Sequence, residues 1–138
     1  DGQTIEEAEH QLATRLYQNN ARVHFNHHIE KDGRFGKRII YGGYIISLAR
    51  AISCNGLANA FKIVAIHSGK HSSPTFSGDT IYAWSKILEK EKINEKIGTL
   101  KIRTLASKNN PNMNFPDSKE LTENIVLDLV YSVLIPAK

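Results

Sequence analysis

The alternation of apolar and polar residues divides the chain into a helical first half and a strand-rich second half. Near the N-terminus, Thr4 and Glu7 have the spacing of a capping box, which satisfies backbone N–H groups at a helix start. We therefore predict a helix from Thr4 to about Asn19. Apolar residues recur along it at helical spacing and predict its buried face: Ile5, Ala8, Leu12, Leu16 and Tyr17.

A second, far more apolar helix is predicted over residues 43–55. Its sequence, GYIISLARAISCN, contains few polar side chains, so we expect the helix to be largely buried, with Cys54 as a packing residue. Gly56 predicts its end, because glycine readily adopts the left-handed conformation that follows many helices. Residues 20–40 are rich in glycine and charge and predict an irregular segment with one short helical turn near residues 26–31.

The second half has the period of two that is typical of strands, which we predict at about residues 60–71, 80–89, 98–107 and 125–135. The third strand alternates most clearly, between a buried face of Leu100, Ile102, Thr104 and Ala106 and a wetter face of Lys101, Arg103, Leu105 and Ser107. Ser77, Gly78 and Asp79 predict a tight turn in which Asp79 caps local amides.

Together these elements predict an α+β fold in which an antiparallel sheet wraps around the buried helix of residues 43–55, because so apolar a helix must be covered. This is the hot-dog architecture. Such a domain leaves a sheet edge open, so we expect it to pair with a second hot-dog domain or as a homodimer.

The composition is that of an ordinary globular domain, with 138 residues, 41% apolar and 23% charged. Apolar runs are shorter than the roughly 20 residues of a membrane span, and no leader sequence is recognisable, so we predict no membrane partner. The single cysteine excludes an internal disulfide and favours a reducing, cytoplasmic location.

The chain carries a net charge of +4, but its basic residues are dispersed and interleaved with glutamates rather than clustered. This distribution argues against nucleic-acid binding, which relies on grouped phosphate contacts. Attraction of an anionic small molecule, such as a phosphorylated carrier, fits the charge better.

A histidine and a glycine-rich helix start are the candidate chemical groups. Imidazole transfers protons near neutral pH, which makes His24 a candidate for catalysis, with a structural hydrogen bond as the alternative. Gly42 and Gly43 open the apolar helix, where unsatisfied N–H groups can stabilise an oxyanion; alternatively they permit close packing. His24, His27 and His28 have helical spacing, but no acidic or cysteine ligand accompanies them, so we predict no metal site.

Several stretches resemble the MaoC-like hydratases, hot-dog enzymes that add water to 2-enoyl thioesters of coenzyme A. The resemblance covers nearly the whole chain and is carried by VHFN at residues 23–26, RFG at 34–36, IYGG at 40–43 and PTFSGDT at 74–80. Within that family, TIEEAEHQLATRLYQNNARVHFN, RFGKRIIYGGYIISLARAISCNGLANAF and SGDTIYAWS are similar to the C-terminal half of the mesaconyl-CoA hydratases, also called β-methylmalyl-CoA dehydratases.

The resemblance implies a single hot-dog domain over residues 1–138 that forms the C-terminal half of a double hot-dog protein and lacks its first strand. It implies a hydratase that acts on a branched, carboxylate-bearing enoyl-CoA, with coenzyme A as part of the substrate and no separate cofactor. His24 would transfer the proton, Gly42 or Gly43 would bind the enolate-like oxygen, and Arg38 would meet a phosphate or carboxylate.

The chain departs from the family pattern at several positions, and Ala21 and Arg22 stand where the family has Asn-Pro. The usual aspartate five residues before the histidine is Asn19, whose amide cannot act as a base but can orient a water molecule. Tyr41 replaces the histidine of a His-Gly-Met triplet and either contacts substrate or packs. The missing aspartate leaves open a non-catalytic half that binds acyl-CoA and supports an active partner half. An acyl-CoA thioesterase is a further alternative, because hot-dog folds also host that chemistry.

Overall fold

The computed structural model describes residues 2–111, 115 and 124–137, which form a five-stranded antiparallel sheet with five helices. The helices are α1 (Glu7–Leu16), α2 (Arg22–Phe25), α3 (His27–Glu30), α4 (Gly42–Ile52) and α5 (Cys54–Leu57). The strands are β1 (Gln3–Thr4), β2 (Lys62–Lys70), β3 (Thr80–Lys92), β4 (Ile97–Lys108) and β5 (Ile125–Pro136), in the order β1-β3-β4-β5-β2.

The core lies between the sheet and α4, as the sequence predicts. Ile45, Leu48 and Ala49 on one face of α4 pack against buried residues of β4 and β5, including Ile102 and Tyr131. Burying a side chain of this size stabilises the fold by about 1.5–3 kcal/mol. The four predicted strands and the α+β fold around a central helix are confirmed, with strand ends that differ from the prediction by no more than three residues.

The predicted capping box at Thr4 is wrong. Thr4 belongs to β1, which pairs with the start of β3, and its hydroxyl lies 2.8 Å from that of Thr80. The helix begins only at Glu7, and no side chain caps its start. Pairing with the sheet edge supplies backbone hydrogen bonds that compete with the helical ones, and Ile5 extends this pairing through its N–H bond to Asp79.

Of the predicted buried face, only Ile5, which precedes α1, is buried, and the prediction is wrong for the residues of α1 itself. Leu12 and Leu16 are 62% and 74% exposed in this chain, whereas His10 and Thr14 are fully buried. The Thr14 hydroxyl donates to the His10 carbonyl and the His10 ring bonds Glu7, so both polar side chains have partners within α1. Local bonds of this kind reduce the cost of burying polar groups.

The end of the central helix differs from the prediction as well. Helix α4 stops at Ile52, and the chain turns into α5, which contains Gly56 without a left-handed conformation. Cys54 opens α5 and is exposed, so it is not a packing residue. The short turn predicted near residues 26–31 is confirmed as α3, which Asn26 caps by accepting from the Ile29 N–H at 3.1 Å.

The face of β4 that the alternation predicts to be exposed is partly buried. Leu105 and Ser107 are both fully buried, although Lys101 and Arg103 stay half-exposed as expected. Ser107 is covered by the turn after β4, where its hydroxyl donates to the Asn110 carbonyl.

The predicted turn before β3 is confirmed. Gly78 has a φ of 91°, and the Asp79 carboxylate accepts from the Phe76 N–H at 2.9 Å. Across the described residues, no helix has the length and hydropathy needed to cross a membrane.

Candidate active site

His24 lies on the short helix α2, and backbone contacts hold it firmly. Its ring nitrogen Nδ1 lies 2.9 Å from the Ile39 carbonyl oxygen, and the Ile39 N–H donates to the neighbouring Val23 carbonyl. Gln11 of α1 adds a bond of 2.8 Å to the His24 carbonyl. Because a carbonyl can only accept, Nδ1 carries a proton, and Nε2 is the ring nitrogen left to exchange a proton with a substrate.

Aromatic packing by Tyr41 also positions the His24 ring. The Tyr41 ring meets the His24 ring edge to face with centroids 5.6 Å apart, and it also contacts Tyr17. A Cβ on Gly43 would lie 2.5 Å from the Tyr41 ring. In this structure Tyr41 therefore packs His24 in place, and Gly43 provides the space that Tyr41 needs.

The first turn of α4 presents backbone N–H groups next to His24. The N–H groups of Tyr44 and Ile45 donate to the Tyr41 carbonyl, so those of Gly42 and Gly43 precede the first intrahelical bonds. No acidic side chain lies in this first turn. The helix dipole therefore gives this end a partial positive charge that can stabilise an anionic oxygen.

A cavity of about 390 Å³ joins the helix start to His24. Apolar side chains form much of its wall, and a row of hydroxyl-bearing residues follows the end of β2. Its lining residues are His24, Phe35, Ile39, Ile40, Gly42, Ile45, His71, Ser72, Ser73, Pro74 and Thr75.

His71 is the site residue that the sequence prediction missed. It follows the last residue of β2, and a Cβ on Gly42 would lie 2.6 Å from its Nε2. Burial lowers the pKa of His71 below its ordinary 6.5, and a hydrogen bond with the Val126 backbone offsets this only in part. No motif marks His71 in the sequence, because it meets Gly42 only in the folded chain, where the segment that follows β2 lies against the start of α4.

Asn19 has a local partner. Its side-chain oxygen accepts from the Ala21 N–H at 2.8 Å, which shapes the turn before α2, and Asn19 is not among the residues that line the cavity. The predicted role of Asn19 in orienting water remains a prediction.

Arg38 lies outside the cavity and bonds the helix that carries His24. Its guanidinium donates to the Phe25 carbonyl at 3.1 Å and to the Glu7 carboxylate, so it ties α1 to the helix that carries His24. Burial raises the pKa of Glu7, but the hydrogen bond from His10 and the charges of His10 and Arg38 outweigh it, and the net pKa lies below the usual 4.5. Arg38 does not line the cavity, and its predicted substrate contact remains a prediction.

Cations surround an aromatic pair at the rim of the cavity. Phe35 lines the cavity and packs edge to face on Phe76, while the Lys37 ammonium lies 4.3 Å from the Phe76 ring centre. The Lys108 ammonium lies 5.6 Å from the centre of the same ring and donates to the Pro74 carbonyl at 2.6 Å. Arg34 stacks on Phe35. The rim therefore carries three cations, and the Asp79 carboxylate lies 4.0 Å from one of them, Lys108.

The histidines at 24, 27 and 28 fall on two separate short helices. Within residues 2–111, 115 and 124–137, no three histidine, cysteine or acidic side chains come together in a way that could hold a metal ion.

Comparison with known proteins gives two curated relatives that align with essentially the whole chain, although no family model matches. The chain is 59% identical over 143 residues to the β-methylmalyl-CoA dehydratase of Chloroflexus aurantiacus, aligning 100% of this chain with 41% of that protein. It is 48% identical over 139 residues to the mesaconyl-CoA hydratase of Cereibacter sphaeroides, aligning 99% with 40%. The chain thus spans about two fifths of the length of these relatives.

Solved structures agree with the sequence matches. A crystal structure from Chloroflexus aurantiacus, assigned as a MaoC domain protein dehydratase, superposes with a TM-score of 0.92 at 58% identity, over all of this chain and 41% of that one. A Mycobacterium tuberculosis protein with a double hotdog fold superposes with a TM-score of 0.71 at 24% identity, over 99% of this chain and 37% of that one. The predicted hot-dog fold is confirmed.

Proposed function

We propose that this chain, a MaoC-like hot-dog domain, belongs to a hydratase that reversibly adds water to the double bond of a 2-enoyl thioester of coenzyme A. The observation that carries the proposal is that His24 and Gly42, at the positive end of α4, line one cavity. The names of the relatives, a dehydratase and a hydratase of coenzyme A thioesters, support the same reaction.

The geometry suits a carbonyl-activated addition. A thioester oxygen at the N–H groups of Gly42 or Gly43 would gain negative charge as water attacks C3, and a preorganised helix terminus stabilises such charge. The water oxygen bonds to C3, the π electrons move toward C2 and the thioester oxygen, and C2 then takes up a proton. We assign the proton transfer at C2 to Nε2 of His24, whose orientation the Ile39 carbonyl fixes.

The substrate class we propose is a branched, carboxylate-bearing enoyl-CoA of the mesaconyl-CoA or β-methylmalyl-CoA type. The names of the two relatives support it. The cationic rim formed by Arg34, Lys37 and Lys108 also suits an anionic substrate, because positive charge around a cleft concentrates anions. Coenzyme A enters as part of the substrate.

A second hot-dog domain is the partner we propose, with this chain as the C-terminal half. Apolar side chains on α1 and β2 are exposed in this chain, among them Leu16 at 74% and Ile66 at 62%. Strand β2 is also an edge of the sheet, and no other described strand pairs with its outer side. The double hotdog structure that this chain resembles supports such a pairing.

Replacement of His24 tests the proposed reaction. In the natural full-length protein, His24→Gln should lower kcat/KM for hydration of mesaconyl-CoA by about 10²–10⁴-fold, the range typical for loss of a general acid or base. The measurement follows the absorbance of the conjugated thioester, and His28→Gln, an exposed histidine on α3, is the matched control.

Undiminished hydration by the His24 variant would overturn the assignment. Release of free thiol without loss of the double bond would instead identify a thioesterase. Both readouts come from the same reaction mixture.

A further inference from the structure

The cavity that holds His24 contains a second imidazole, on a different element. His71 follows β2 and lies against Gly42, at the helix start proposed to bind the thioester oxygen. A methyl group at position 42 would collide with its Nε2 at 2.6 Å, so the absence of a side chain there lets the ring approach the helix terminus. Both histidines line the same cavity of about 390 Å³.

We propose that His71 is a second catalytic residue of this site, which takes the proton from the attacking water while His24 delivers a proton to C2. The proposal rests on the hydratase function proposed above. It assigns a base in a site where the amide of Asn19 cannot serve as one.

The chemistry requires two proton transfers. Hydration removes a proton from water and adds one to C2, so the site needs a proton acceptor and a proton donor. Of the eleven residues that line the cavity, only His24 and His71 have imidazole side chains, the groups that most often transfer protons in enzymes.

The surroundings of His71 favour the role of acceptor. Its neutral form is stabilised by burial, which lowers the pKa of the ring. Gly42 of α4 meets the ring without a side chain, and Val126 of β5 bonds it through its backbone. The titratable group that shares the cavity wall is His24, and Lys108 of β4 reaches the rim through the Pro74 carbonyl.

The step balances without any further reactant. A lone pair of His71 accepts a proton as the O–H bond of water breaks and the new O–C3 bond forms. The proton on Nε2 of protonated His24 moves to C2 as electrons return from the thioester oxygen. The products are a 3-hydroxyacyl thioester, protonated His71 and neutral His24, and exchange with solvent protons restores the starting state.

His71→Gln in the natural full-length protein tests this assignment. We expect kcat for hydration of mesaconyl-CoA to fall by about 10²-fold or more, with KM changed less than threefold. The acid limb of the kcat–pH profile, where protonation of His71 stops the wild-type reaction, should disappear. His67→Gln is the matched control, since His67 lies on β2 just before His71, its ring bonds the Ser132 hydroxyl, and it does not line the cavity.

The His24→Gln variant, measured in parallel, separates the two proposals. Wild-type activity in the His71 variant, together with loss in the His24 variant, would overturn the role of His71 and leave the hydratase function intact. A lower kcat with an unchanged acid limb would also overturn it, because a purely structural role predicts that result. Absence of hydration by the wild type would overturn both. If His71→Gln does not fold, His71→Asn enters the same assays.

Discussion

At His24, a single backbone contact decides which ring nitrogen is available for chemistry. The Ile39 carbonyl oxygen lies 2.9 Å from Nδ1 and accepts its proton in a hydrogen bond, so only Nε2 can exchange a proton with a substrate. His71, on the other wall, has a pKa lowered by burial. Two imidazoles with different surroundings can have different protonation states at one pH, which acid and base catalysis in a single site requires.

Gly42→Ala should impair the site without unfolding the chain. The added methyl group would meet the His71 ring at 2.6 Å, so the ring must move, and we expect hydration activity to fall about tenfold or more, since misplacement by an ångström has effects of this size. Gly56→Ala is the control, because nothing lies within 4 Å of its Cβ position. Enzyme assays and thermal unfolding of both variants provide the measurement, and equal activities would contradict the packing of His71 on Gly42.

The lowered pKa of His71 predicts a pH dependence of stability. Its pKa is lower in the folded chain than the ordinary 6.5, so the unfolded chain binds the proton more readily. The free energy of unfolding should therefore decrease as the pH falls from about 6.5 through the folded-state pKa. Denaturant unfolding between pH 5 and 8 measures this slope, which His71→Gln should reduce. An identical slope in the variant would count against a buried neutral His71.

At the scale of elements, α1 supports the helix that carries His24. Gln11 bonds the His24 carbonyl, and Glu7 holds Arg38, which in turn bonds Phe25. The sequence predicts that α1 and the central helix exist, but it assigns α1 the wrong buried face. Helical periodicity identifies an apolar side, and only the neighbouring elements decide whether that side is covered within the chain.

Glu7→Gln should loosen this support. The neutral amide leaves the guanidinium of Arg38 without its counter-charge, so we expect a several-fold loss of kcat and a loss of stability of about 1 kcal/mol or less at neutral pH. Because the pKa of Glu7 is lowered, its stabilising effect is present above about pH 4.5 and is lost as the pH falls through the folded-state value.

The matched control for that substitution is Glu6→Gln. It removes the same charge from the neighbouring residue, and the Glu6 side chain makes no cap hydrogen bond at the start of α1. Kinetics and denaturant unfolding at pH 7 and below pH 4.5 compare the two variants. Equal effects of both substitutions would show that net charge, rather than the Glu7 to Arg38 contact, is responsible.

At the scale of the whole molecule, large apolar side chains on α1 and β2 are exposed in this chain. Leu12, Leu16 and Tyr17 of the α1 region and Phe61, Val64 and Ile66 along β2 are each between 48% and 74% exposed. Exposed apolar side chains on a helix and on an edge strand are features that a contact with another domain would cover. The chain also matches only 41% and 40% of the length of its curated relatives.

Leu16→Ser in the natural full-length protein tests whether a second domain covers α1. If it does, the loss of buried apolar area should cost about 1–2 kcal/mol, although Leu16 is 74% exposed in this chain. Ile93→Ser, in the turn between β3 and β4 and 55% exposed, is the comparison and should cost less than about 0.5 kcal/mol. Similar small changes in both unfolding curves would argue that α1 faces solvent in the whole protein.

By itself the sequence determined the central helix, the four long strands, the turn at Asp79 and the pairing of His24 with a glycine-rich helix start. These features depend on periodicity and on residue types that act locally, so the pattern of the chain is sufficient to predict them. Only the tertiary structure placed Thr4 in a sheet edge, buried His10 and Thr14, and brought His71 to Gly42. Those outcomes depend on which distant backbone segments pair and pack. The contact between Gly42 and His71, for example, joins residues 29 positions apart in the sequence and leaves no periodic signal along the chain.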